Sequence, residues 1–187
     1  MYNLVVFASG GGTTLQAIIN AIENQELACK INLVVSNSSD AYALERAKKA
    51  GIETYVIQNK KADDVDTELE KILNNYEIDL IVLAGYLKKI GPKLVDKYTI
   101  INTHPSLIPK FCGKGMYGMK VHEAVVEAHE KISGATVHYV NQNYDEGNII
   151  SQTTIEVLPS DTADDVAEKV KAAEKIQLIE VIRNLSK

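Results

Sequence analysis

Asn3-Leu4-Val5-Val6-Phe7-Ala8-Ser9-Gly10-Gly11-Gly12-Thr13-Thr14-Leu15 is the stretch that decides the fold. An apolar run of strand length passes into three glycines, after which Leu15, Ile18, Ile19 and Ile22 recur at helical spacing. The stretch therefore reads as a strand, a tight turn and an amphipathic helix with one apolar face to lie on a sheet. Units of this kind build parallel sheets, because the helix carries the chain back to begin the next strand in the same direction.

Outward from this unit the pattern repeats. Residues 31–36 form a second strand, Asp40 is placed to cap a helix that Gly51 ends, and residues 54–57 form a third strand. Val65, Leu69, Ile72 and Leu73 mark the next helix, and residues 80–84 are apolar on both faces, as a central parallel strand requires. Pro92 starts a short helix, and residues 100–103 are a brief fifth strand stopped by His104-Pro105. Then the pattern changes. Glycine-rich residues 113–118 lead to a helix carrying Val121, Ala124, Val125 and Ala128. Strands at 135–140 and 149–155 follow, joined by a connection too short for a helical crossover, so they pair antiparallel. Thr162 with Asp165 three residues later forms a capping box for a terminal helix built on Val166, Val170, Ala173, Ile176 and residues 178–182. The expectation is an α/β fold in one domain, 1–187. Its sheet is Rossmann-like and mostly parallel, flanked by helices, with an antiparallel strand pair near the C-terminus.

Composition narrows the partners. The 187 residues are 45% hydrophobic and 24% charged, the balance of a chain with a real core. The most apolar run, residues 80–87, falls far short of the roughly 20 residues needed to cross a bilayer, so no membrane is expected. The N-terminus enters the first strand without a basic region or a long apolar leader, which reads as a cytoplasmic protein. In that compartment Cys29 and Cys112, far apart in sequence, are reduced thiols. Net charge is −5, and only Arg46 and Arg183 among the 20 basic residues are arginine, so there is no basic stripe for a nucleic-acid backbone. A phosphate would be held mainly by backbone amides or lysines.

In an open parallel sheet the loops leaving the carboxyl ends of the strands share one edge, where ligands bind. Three such loops carry chemistry: residues 9–14, residues 85–89 and Asn102-Thr103-His104. The glycine loop offers free amides and a helix dipole to an anion. It is neither a Walker loop nor a good dinucleotide fingerprint, since Leu15 stands where the third glycine belongs and the second strand ends in Ser36-Asn37-Ser38 without a carboxylate. A plain strand-to-helix turn capped by Thr13 or Thr14 accounts for it equally. His104 follows polar Asn102 and precedes a proline, the placement of a proton-transferring imidazole or of a strand-end turn. His122 and His129 lie seven residues apart on a helix and His138 sits in an alternating strand, and all three read as structural or solvated. Asp145-Glu146-Gly147 is a tight acidic connection, and residues 113–118 read as a lid or a surface loop.

Together these residues resemble the phosphoribosylglycinamide formyltransferases of the folate-dependent formyltransferase family. The resemblance rests on Ser-Gly-Gly-Gly-Thr-Thr-Leu-Gln-Ala-Ile at 9–18, Ser-Asn at 36–37, Leu-Glu-Arg-Ala at 44–47, Val-Leu-Ala-Gly-Tyr at 82–86, Asn-Thr-His-Pro-Ser-Leu-Ile-Pro at 102–109 and Gly-Ala-Thr-Val-His-Tyr-Val at 134–140. It implies transfer of a formyl group from 10-formyltetrahydrofolate, a cosubstrate, to the amine of 5′-phosphoribosylglycinamide in purine synthesis, with no metal. By likeness Asn102, His104 and Asp145 are the catalytic trio. Gly12, Thr13, Thr14, Leu15, Gln16 and Glu174 hold the nucleotide, and Leu87, Lys88, Lys89, Ile90, Asn102, Val140 and Asn141 hold the folate. In chemical terms Asn102 and a protonated His104 would stabilise the oxyanion of a tetrahedral intermediate, and Asp145 would favour the imidazolium and hold a proton-carrying water. The partners implied are small-molecule substrates, not nucleic acid or membrane, for a monomer or weak homodimer. The chain departs from the family pattern at Thr14, usually asparagine, at Asn148, usually proline, and around Lys61, where an arginine is common. Other folate-dependent formyltransferases, or a catalytically silent phosphoribosyl- or folate-binding protein, are the alternative readings.

Overall fold

In the computed structural model, which describes residues 1–57, 62–143 and 146–187 with the backbone alone at 62 and 63, helices and strands alternate along the chain. In order they are β1 (Tyr2–Phe7), α1 (Thr13–Glu23), β2 (Cys29–Ser36), α2 (Tyr42–Lys49), β3 (Thr54–Val56), α3 (Ala62–Leu73) and β4 (Leu80–Leu83). Then come α4 (Pro92–Val95), β5 (Ile100–His104), α5 (Met119–Glu127), β6 (Ile132–Tyr139), β7 (Ile149–Glu156) and α6 (Ala163–Leu185). The described strands make one seven-stranded sheet in the order β3-β2-β1-β4-β5-β6-β7. Pairing is parallel from β3 through β5, and β6 and β7 run antiparallel to their neighbours. The expected mixed α/β sheet is the one observed.

Alternation along β1 explains the two-sided core. Leu4, Val6 and Ala8 pack with Leu15 and Ile18 of α1, Ala43 and Ala47 of α2, and Leu178 and Ile182 of α6. Val5 and Phe7 point the other way, toward Leu69 and Leu73 of α3 and Leu94 of α4. From β1 the chain winds outward through β2 to β3, then returns to lay β4 on the opposite side of β1. The loops after β1 and β4 therefore diverge, opening a crevice at the carboxyl ends of the strands. Among the described residues no helix is long and apolar enough to cross a membrane.

Several local expectations are corrected. Asp40 does not cap α2, whose N-cap is Ala41 without a side-chain cap hydrogen bond. The carbonyl of Gly10 accepts the Ala43 N–H instead, at 3.1 Å, so a distant loop does the work assigned to a local carboxylate. Gly51, at φ 70°, does end that helix. The N–H groups of Gly51 and Ile52 donate to the carbonyls of Lys48 and Ala47, a Schellman closure. β5 runs on through His104 rather than stopping before it, because His104 keeps its pairing with Thr136 of β6. The Thr162–Asp165 capping box forms as read.

Candidate active site

The glycine loop is shaped by its neighbours. Gly12, not Thr13 or Thr14, is the N-cap of α1, at φ 68° and without a side-chain cap hydrogen bond. That left-handed conformation favours glycine, and a Cβ there would also stand 2.7 Å from Cα of Ala43. Arg46 Nε donates to the Gly11 carbonyl at 2.8 Å, and Gly10 is engaged by Ala43, so α2 occupies the loop's carbonyl oxygens. One of only two arginines in the chain is thus spent on holding the loop. What the loop keeps for a ligand is the first-turn amides of α1, which no helix satisfies internally.

Ser9 ties this loop to the one after β4. Its N–H donates to the Gly85 carbonyl at 3.1 Å, and its hydroxyl accepts the Leu87 N–H at 2.8 Å while donating to Asn37 Oδ1. The far end of the same loop rests on Asp66 of α3, whose Oδ2 accepts the Lys93 N–H at 3.0 Å. A Cβ on Gly91 would lie 2.3 Å from that carboxylate, so the contact is close. Between these anchors Leu87, Lys88 and Lys89 are exposed and Ile90 is buried. Tyr86 stacks edge-on against Phe7 with ring centroids 5.2 Å apart, and burial pushes its hydroxyl up to about 12.

Asn102 and His104 lie on β5 beside the crevice, and both line a cleft of about 740 Å³. Asn102 Nδ2 donates to His138 Nε2 at 3.1 Å, while His138 Nδ1 lies 2.9 Å from the Tyr139 carbonyl. The neutral tautomer protonated at Nδ1 satisfies both bonds and fixes the Asn102 amide. His104, buried, directs Nε2 to the Phe111 carbonyl at 2.8 Å. Opposite them, Thr14 donates its hydroxyl to Glu174 Oε1 at 3.2 Å. Burial pushes the Glu174 carboxyl up, against the pull of Thr14, Lys175, Thr103 and Lys171.

Of the residues singled out by sequence, Thr13, Thr14, residues 87–90, Asn102, His104, Val140, Asn141 and Glu174 all border this one cleft. Leu15 does not, being packed in the core, and Gln16 turns to accept from Arg46 Nη1 at 3.1 Å. Asp145 and Lys61 lie outside the described residues. The neighbouring Asn148 lends its carbonyl to the Tyr139 N–H at 3.0 Å, a bond that a proline there would also make. His122 and His138, read from sequence as structural or solvated, both reach the cleft. Their helical and alternating spacing carried no sign of this, since neither pattern says which end of an element faces a ligand. The glycine-rich residues 113–118 border the same cleft, with Gly113, Gly115 and Gly118 at positive φ.

Comparison with known proteins agrees with this architecture. Residues 2–182 match the family described as formyl transferase. The chain is 38% identical over 185 residues to the chloroplastic phosphoribosylglycinamide formyltransferase of Arabidopsis thaliana, which covers 96% of this chain and 63% of that protein. It thus spans less than two thirds of the plant relative. It is 37% identical over 179 residues to the phosphoribosylglycinamide formyltransferase of Haemophilus influenzae, covering 93% of this chain and 82% of that one. Among solved structures, glycinamide ribonucleotide transformylase 1 from Symbiobacterium toebii superposes with a TM-score of 0.90 at 33% identity, over 100% of this chain and 88% of that one. Since the family match runs from β1 into α6 and takes in every loop that borders the cleft, the chain belongs to the formyl transferase family.

Proposed function

We propose that this protein transfers a formyl group from 10-formyltetrahydrofolate to the amine of 5′-phosphoribosylglycinamide. The observation that carries the reading is one cleft bordered by an anion-ready helix start at Thr13 and Thr14 and by Asn102 and His104 of β5, in a chain of the formyl transferase family. Membership implies a folate-derived cosubstrate and a small-molecule acceptor. The phosphate of the nucleotide docks on the amides of residues 12–14. The amine then faces Asn102 and His104, and the folate lies along residues 87–90 with Val140 and Asn141.

The chemistry follows from donor accounting. A side-chain amide has two N–H donors, and His138 takes one of those of Asn102, which leaves the other for the formyl oxygen as negative charge develops on it. His104 is held by its Nε2 bond to Phe111, and in its protonated form donates from both ring nitrogens. Asp145, matched by resemblance, favours that protonated form and carries the proton from the attacking amine to the leaving folate nitrogen through a water.

A formyl-transfer assay tests this. With 10-formyltetrahydrofolate as donor, phosphoribosylglycinamide is turned over while simple amines, methionyl-tRNA and water are not. Equal or faster transfer to any of those three overturns the acceptor assignment, and no transfer to any acceptor makes the protein a silent binder.

A further inference from the structure

His122 is a polar side chain of the cleft that the chemistry above leaves unused. It sits in α5, is 3% exposed, and its Nδ1 is buried with no hydrogen-bond partner among the described residues. Such an orphan is uncommon in a core and calls for an explanation. Nδ1 costs less there as a bare lone pair than as an unpaired N–H, which places the ring proton on Nε2. The ring borders the cleft, so Nε2–H is the donor it has to offer.

Its neighbours define what it can meet. Lys171 and Glu174 of α6 and His104 of β5 border the same cleft, and Thr14 at the start of α1 is hydrogen-bonded to Glu174. Burial, then Lys171 and His104, hold the His122 imidazole below its usual range, so it is neutral while the cleft holds no anion. A substrate running from the α1 amides to Asn102 and His104 passes this wall.

Building on the functional reading above, we propose that His122 donates a hydrogen bond to the phosphate of the nucleotide, completing with the α1 amides and Lys171 the anion-holding end of the cleft. A dianionic phosphate beside the ring reverses the local electrostatics and favours its protonated form, so binding takes up a proton. A contact to a ribose hydroxyl would not.

Calorimetry on the intact protein decides this, with ribose 5-phosphate, phosphoribosylglycinamide and its unphosphorylated nucleoside as probes. His122→Ala is expected to weaken both phosphorylated probes by about ten-fold or more, as loss of a hydrogen bond to a charged group does. It leaves the nucleoside unchanged, and His122→Gln, which keeps a donor, loses less. The dependence of binding enthalpy on the buffer's ionisation enthalpy near pH 6.5 shows proton uptake in wild type that His122→Gln lacks. Unaltered affinity in His122→Ala, equal loss for the nucleoside, or equal proton uptake in wild type and His122→Gln overturns the assignment. If His122→Ala does not fold, the affinity and proton uptake of His122→Gln decide alone. Wild-type protein that binds ribose 5-phosphate with linked uptake but transfers no formyl group overturns the functional reading and leaves this one standing.

Discussion

Asn102 and His104 are two residues apart on β5, so their side chains leave the same face of the strand, and both border the cleft. Each is also held by a hydrogen bond within the protein, Asn102 by His138 and His104 by the Phe111 carbonyl, so neither has to be ordered when substrate arrives. An oxyanion donor of this kind is commonly worth about 2.7 to 4 kcal/mol. His104→Ala and Asn102→Ala are each expected to lower the turnover number by roughly two to three orders of magnitude. The double variant is expected to fall short of the sum, because in the proposed mechanism both donors serve one oxygen. Single-turnover measurements check it, and loss of nucleotide affinity with an unchanged chemical step would make His104 a positioning residue only. At Gly12 two costs coincide, a positive φ and a Cβ pressed on Ala43. Gly12→Ala should lower stability by about 1 to 3 kcal/mol in urea unfolding and raise KM for the nucleotide more than for the folate. Equal effects on the two substrates would count against the anion loop.

The short α4 and the loop before it show how one element serves another. Four residues cannot make a stable helix alone, so Pro92–Val95 depends on a carboxylate from α3 for its first-turn amide. The same Asp66 fills the space under Gly91, while Ser9 fixes the opposite end of the loop at Gly85 and Leu87. The segment assigned to the folate is thus stretched between two anchors on different elements. Replacing Asp66 with Ala removes a cap worth about 1 kcal/mol and loosens one end of that segment. The expected outcome is a several-fold rise in KM for the folate with nucleotide affinity unaltered. Steady-state kinetics and calorimetry read these separately, and parallel losses in both would point to general unfolding.

At the scale of the molecule, the cleft joins residues that the chain keeps far apart, Thr14 and Glu174 being 160 positions from one another. Burying Glu174 there has a thermodynamic signature. Its carboxyl is pushed up on folding, so the stability associated with its protonated form is fully present below the ordinary carboxylate range. That stability is lost as pH rises through the raised value. Glu174→Gln is therefore expected to raise the melting temperature near pH 8 relative to wild type, with the gain shrinking toward pH 4. The resemblance assigns Glu174 to the nucleotide, so the same substitution is expected to weaken nucleotide binding, the exchange of stability for function common at ligand sites. A melting temperature that falls at pH 8 would show the ionised carboxylate to be well accommodated.

The sequence by itself determined the kind and order of the elements. A period of two or 3.6, a glycine after a strand and a capping box are properties of adjacent residues, and they survive without knowledge of neighbours. It also placed the glycine turn between a strand and a helix and set Asn102 two residues before His104, since both features lie within single loops or strands. Tertiary structure alone decided that β4 lies beside β1, and hence that the loops after them face one crevice. It replaced Asp40 by the Gly10 carbonyl at the start of α2, placed Leu15 in the core and turned Gln16 to Arg46. It also brought His122 and His138 to the cleft wall. The physical reason is common to all of these. Each depends on which distant segment is packed against the residue, and that is set by the order of strands in the sheet rather than by any pattern along the chain.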